Sequence, residues 1–266
     1  MISLRALIPQ LARSKAFLVA LGACALAAAP IVWAQGRGRG RPPMTFADNR
    51  PYDGRYTFVR IKYPLPDNDF GFRQDIKWSH DYPRGEQHFS KIVQELTSVQ
   101  TRTGYSNILG LDDPELGKYP IAYMCEPGFW RPTDVEVLGL RNYLEKGGFI
   151  IFDDFAGQRD WQSLEQGMKR AFPTLTWLPL DPKDIVFDAF YHVNSLEYYH
   201  PLQRVKSEFL GLFEDNDRAK RMLAVANYNN DISEYWEFSD EGMFAVDESN
   251  EAYKIGVNYI IYALTR

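Results

Sequence analysis

Four carboxylates stand where apolar runs of this chain stop: Glu126 after "IAYMC", Asp153 and Asp154 after "FIIF", and Asp231 shortly after "MLAVANY". In an open parallel sheet, ligands collect outside the carboxyl ends of the strands, so these acids are the first candidates for a site. Adjacent residues of a strand point to opposite faces, which makes Asp153 and Asp154 a poor acid/base pair with each other. One of them paired with Glu126 or Asp231 from a neighbouring strand end is the better general acid and base. Their competing role is structural: a carboxylate there caps the following helix or accepts from loop amides. That role is expected for one of the two and is an even match for the other.

Other chemistries have weaker support. A nucleophilic cysteine needs a nearby base and a turn that presents it, and "YMCEPGF" offers neither a preceding glycine nor a close histidine. Cys125 therefore reads as a small buried residue at a strand end. His80, His88, His192 and His200 are metal-ligand types, as are the acids, but no His-Glu-x-x-His or calcium-loop spacing joins them. No metal and no cofactor are expected, and His80 and His88 flank a helix start where an imidazole can be solvated. The aromatic and amide set "NYNNDISEYWEF", with Trp130, Trp161 and Tyr191, suits a saccharide or peptide and equally suits a packed tyrosine-rich rim. The candidate ligand-binding residues are Glu126, Asp153, Asp154, Trp161, Asn230, Asp231 and Trp236, with no catalytic residue assigned.

These residues need elements to hold them. "RYTFVRIKYP" reads as a strand closed by Pro64, followed by a long loop, "LPDNDFGFRQDIKWSHDYPRG", of the length that functional loops have. From Glu86 the apolar residues Phe89, Ile92, Val93, Leu96 and Val99 follow a helical period. "IAYMCEPG" is a buried strand. Thr133 and Glu136 have capping-box spacing at the start of a helix that Gly147 and Gly148 stop. "FIIFDD" is apolar on both faces, as buried parallel strands are. Strand, helix and strand from Ile121 to Asp154 predict a parallel pair. A helix over 160–171, strand candidates in "TLTWLPL", "DIVF" and "RMLAVANY", and a closing helix in "NEAYKIGVNYIIYALTR" complete an α/β alternation.

The N-terminus is of another kind. Arg5, Arg13 and Lys15 precede an apolar run that ends at Ala34, the layout of a secretory signal peptide over residues 1–34. An uncleaved membrane anchor is the competing reading, and lipidation at Cys24 is a third. Residues 35–53, rich in Gly, Arg and Pro, read as a flexible linker that precedes a single domain over 54–266. Removing 1–34 takes away three basic residues and no acidic one, so the formal charge moves from -5 to -8. Such a surface argues against a nucleic-acid partner. The expected location is the periplasm.

Five blocks, "FVRIKYP", "WSHDYPRGEQHFSKIVQELTSVQ", "LDDPELGKYPIAYMCEPGFWRPTDVEVLGLRNYLEKGGFIIFDDF", "NNDISEYWEF" and "AYKIGVNYIIYALT", together resemble the bacterial domain-of-unknown-function family 4159. The resemblance spans nearly all of residues 56–266 and rests on the order and spacing of the blocks. It implies a flavodoxin-like sheet related to the class I glutamine amidotransferase fold, with helices on both faces. In those enzymes the strand after a Gly-Gly turn leads to the catalytic cysteine; here "GGFIIFDDF" places acids there, so that mechanism does not carry over. The chain also departs from the family pattern after "LPLD", where Pro182 follows Asp181 without a histidine. The function expected is an exported, non-catalytic ligand-binding or accessory module. A hydrolase using strand-end carboxylates, metal-assisted or not, and a structural component of an envelope complex are the alternatives. Partners in keeping with these are a saccharide or peptide ligand, or an envelope protein.

Overall fold

The computed structural model describes residues 45–65 and 75–266. The expected signal segment 1–34, Cys24, the Gly/Arg run 36–41 and part of the loop before Asp75 lie outside the described residues. The chain divides into two units, Met1–Phe46 and Ala47–Arg266, and the second holds all the elements below.

Seven strands form one sheet in the order β2-β1-β3-β4-β7-β6-β5. They are β1 (Tyr56–Ile61), β2 (Thr101–Leu109), β3 (Ile121–Cys125), β4 (Phe149–Phe155), β5 (Trp177–Pro179), β6 (Glu208–Phe213) and β7 (Met222–Tyr228). The pairs from β2 through β7 are parallel, whereas β6 and β5 add an antiparallel margin. The helices are α1 (Arg84–Leu96), α2 (Asp134–Glu145), α3 (Gln158–Ala171), α4 (Ile232–Glu237) and α5 (Val246–Thr265).

The alternation of side chains along the strands builds two cores. Tyr56, Phe58, Tyr123, Cys125, Phe149 and Ile151 face α1, α4 and α5. Val59, Ile61, Ala122, Met124, Ile150 and Phe152 face α2 and α3. The sheet is thus covered on both faces, which is why β3 and the first four residues of β4 are apolar on both faces. Gly139 of α2 lies against the Leu111 backbone carbonyl, where a Cβ has no room. Gly139→Ala is expected to cost ~1–3 kcal/mol by overpacking, read as a lower urea midpoint at unchanged slope.

Several elements differ from the sequence reading. "DIVF" is a 3-10 turn, Ile185–Asp188, and not a strand, because Val186 and Phe187 turn inward to the core instead of pairing. β2 and β6 give no clear alternation in the sequence. β2 is an edge strand that pairs with β1 at Thr101, bulges away over 102–105, and pairs regularly again from Ser106 to Leu109. α1 ends at Leu96, so Val99 packs from the following turn. "ISEYWE" forms α4, a short helix where only a strand exit was read. Residues 49 and 50, read as linker, bond to β2: the Asn49 amide to the Ile108 backbone, and the Arg50 backbone to the Asn107 side chain. No helix among the described residues is long and apolar enough to cross a membrane.

Candidate functional site

The order of the parallel strands reverses between β1 and β3, and the segments leaving their carboxyl ends meet those leaving β4 and β7. The segment after β1 brings Lys77, His80 and Asp81, β3 brings Cys125 and Glu126, β4 brings Asp153 and Asp154, and the turn after β7 brings Asp231 and α4.

Asp153 is spent on structure. It is fully buried and accepts from the Tyr123 hydroxyl (3.0 Å), the Asn227 amide (2.9 Å) and the backbone N–H groups of Ile232 (3.0 Å) and Ser233 (3.1 Å). The last two are the first turn of α4, whose free amides and dipole favour an anion. Asp154 follows at φ 55 inside a bulge, where β4 spends one residue more than β7 between Phe152 and Phe155. The bulge interrupts the alternation that would have sent the two acids to opposite faces. Asp154 instead accepts from the Cys125 thiol (3.3 Å) and lies 3.6 Å from His80 Nδ1. Glu126, also left-handed at φ 45, holds the same ring nitrogen at 2.7 Å, and Asp75 binds Nε2 at 2.6 Å.

Beyond Asp154 lies a group of carboxylates around Ser233. The Ser233 hydroxyl touches Asp81 Oδ2 (2.5 Å), Asp231 Oδ1 (3.2 Å) and the Tyr123 hydroxyl (2.6 Å), which also contacts Asp153. Two hydroxyl hydrogens are available to these four oxygen–oxygen contacts, so a further proton or a cation would relieve the crowding. Glu234 and Glu237, three apart on α4, share a helix face near Asp81, whose charge bears on both. Carboxylate oxygens of Asp81, Asp231 and Glu234 lie within 4.8 Å of one another, and so do the ligand atoms of Asp81, Cys125 and Asp154 and those of His80, Glu126 and Asp154. Among the described residues, no Lys, Arg or His forms an ion pair with Asp81, Asp231 or Glu234. Arg84 is held outside, by Asp240 and Glu241.

Crowded, desolvated acids resist ionisation. Burial, then the charges of Asp154, Asp81 and Asp153, push Asp231 well above the usual carboxylate range. Burial and Asp81 raise Glu234 to about 8 and Glu237 to about 7. Burial also raises Asp154 to about 6, with Asp81 and Glu126 adding to it and His80 opposing. For His80, burial works against the charge, but Asp154, Glu126 and Asp75 outweigh it and lift the imidazole to about 11. Burial, with Asp154 and Asp81, pushes the Cys125 thiol up, so it stays protonated and a poor nucleophile.

A pH dependence follows for the cation-free protein. Between pH 6.5 and 8, folded His80 and Glu234 hold protons that the unfolded chain has released, Glu237 gives up its own around pH 7 and Glu234 begins to do so near pH 8. Stability therefore falls as pH rises, by about 1.4 kcal/mol per unit for each proton retained, less what solvent screening removes. In chelator-treated buffer the unfolding temperature is expected to drop from pH 6.5 to 8; a flat or rising trend would contradict these protonation states.

The sequence candidates divide. Glu126, Asp154 and Asp231 come together, with Asp153 beneath them. Asn230 is buried in the same turn, its side chain accepting from the Asp231 N–H and its carbonyl from Phe155. Trp236 stacks on Phe89 inside the core, and Trp161 packs with Phe155, Trp177 and Tyr228 on the opposite face. Those two rings do not line the carboxylates. Asp81, Ser233, Glu234 and Glu237 were missed, and His80 is an ion-paired member of the site. Metal-ligand spacing could not reveal the group, because its members come from four separate segments. The density of polar residues in "SHDY" and "NNDISEYWE" was the one signal available.

No curated protein matches this chain. Residues 57–264 match the family described as Domain of unknown function (DUF4159), and by the extent of that match the chain belongs to this family.

Proposed function

We propose that this is an exported ligand-binding module and that its ligand is a cation, held by Asp81, Asp231 and Glu234 with Asp154 alongside. The observation that carries the proposal is the crowding around Ser233: Asp81, Asp231 and Glu234 lie within 4.8 Å of one another with no ion-paired partner among the described residues, so they either hold extra protons or are balanced by a bound positive charge. The donor set fits a divalent metal. All-oxygen ligands from carboxylates suit Ca²⁺, Mg²⁺ or Mn²⁺, and the protonated thiol of Cys125 adds no soft ligand. Export is supported by the N-terminal charge and apolar pattern. A flavodoxin-like fold of the amidotransferase type is supported by the order of the five parallel strands, which follows 2-1-3-4-5 when they alone are numbered.

Thermal unfolding of the chelator-treated protein with Ca²⁺, Mg²⁺, Mn²⁺ and Zn²⁺ tests the proposal, with spermidine, sugars and peptides as parallel arms. At a hundredfold excess over Kd, a divalent cation is expected to stabilise by ~2.7 kcal/mol, or several degrees. Asp231→Asn and Glu234→Gln should abolish the shift. Stabilisation by spermidine alone would replace the metal with an organic cation, and no shift by any cation would end the proposal.

A hydrolase is the second reading, favoured by the value of about 6 for Asp154 beside Glu126, since a carboxyl titrating near neutrality suits general acid/base work. Turnover of an ester or glycoside that is lost in Asp154→Asn would support it.

A further inference from the structure

We propose that Arg60 is a positioning residue of the carboxylate site, an inference that rests on the cation reading for its effect on affinity and on geometry alone for its effect on structure. Arg60 stands on β1 at the strand-order reversal with its side chain fully enclosed. Its Nε donates to Glu86 Oε1 at 2.7 Å and its Nη1 to the Trp78 carbonyl at 3.0 Å. Its guanidinium also lies 5.1 Å from the centre of the Tyr123 ring.

Each contact leads to the site without Arg60 touching a carboxylate in it. Trp78 belongs to the 3-10 turn Lys77–Ser79, and the next two residues are His80 and Asp81. Tyr123 carries the hydroxyl that meets Ser233 and Asp153. Glu86 lies in the first turn of α1, so the pair also fixes where the helix begins after Asp81. One planar fork thereby ties together the turn that brings His80 and Asp81 and the ring that fixes Ser233. Lysine cannot do the same, because one ammonium on a flexible stem lacks the fixed divergence of Nε and Nη1.

The test uses Arg60→Lys and the neutral pair Arg60→Met/Glu86→Leu, which removes the donor to Trp78 without leaving a buried charge. Gly139→Ala, packed on the other face of the sheet, serves as the destabilised control. The His80 side-chain NMR signals of the cation-free protein are expected to move in both Arg60 variants and to stay in place in Gly139→Ala. Mn²⁺ affinity is expected to fall about tenfold or more in the Arg60 variants, as for other outer-shell changes, and to hold in the control. Unchanged His80 signals in both Arg60 variants would overturn the inference. If wild type binds no Mn²⁺, only the manganese arm of the cation reading fails, and the His80 signals still decide: movement upholds the role of Arg60 and constancy overturns it.

Discussion

Asp153→Ala is expected to be among the most damaging single substitutions in this chain, lowering stability by ~4 kcal/mol or more. The substitution leaves two α4 amides, the Asn227 side-chain amide and the Tyr123 hydroxyl without their shared acceptor in a site closed to water. Each buried donor left unmet costs ~1–3 kcal/mol, and relaxation of α4 keeps the sum below simple addition. For a domain of this size the unfolding temperature should fall by about 8 °C or more. Asp153→Asn keeps the shape and one acceptor oxygen, so it should cost roughly half as much. Calorimetry of both variants is the check. A loss in Asp153→Ala below about 1 kcal/mol would show that α4 does not depend on this carboxylate. The result bears on function as well, because α4 carries Glu234 and Glu237 and begins at Asp231.

Arg60→Met is the second large effect. Glu86 is wholly buried, its Oε1 is held by Arg60, and its Oε2 has no hydrogen-bond partner. Removing the guanidinium strands that carboxylate, which costs ~3–5 kcal/mol in comparable buried pairs. Replacing both partners by apolar residues removes the desolvation penalty together with the attraction, so Arg60→Met/Glu86→Leu should return to within ~1 kcal/mol of wild type or exceed it. Urea unfolding of the single and double variants closes the cycle. Equal stability of Arg60→Met and wild type would mean that Glu86 reaches solvent or a proton more easily than its enclosure implies. The paired outcome, a stable double variant with a displaced His80, separates what this pair does for the fold from what it does for the site.

The sequence by itself determined the layered α/β character, the parallel unit from β3 through α2 to β4, the capping box at Thr133 and Glu136, and the strand ends where polar residues gather. Those features follow from local periodicity and from apolar runs buried on both faces, which a linear pattern records. Edge strand β2, antiparallel β6 and the short helix α4 were decided by the tertiary structure. Their pairing partners and first-turn acceptors come from distant segments, such as Asp153 for Ile232. The fate of the two adjacent acids was decided there too. One bulge residue at positive φ turns Asp154 toward His80, while Asp153 disappears beneath α4. Alternation along a strand cannot anticipate a register shift that the neighbouring strand imposes. Carboxylates from the turn after β1, from β4 and from α4 meet only because the sheet brings their strand ends to one edge, and it is that meeting, more than any residue spacing, that makes them a candidate site.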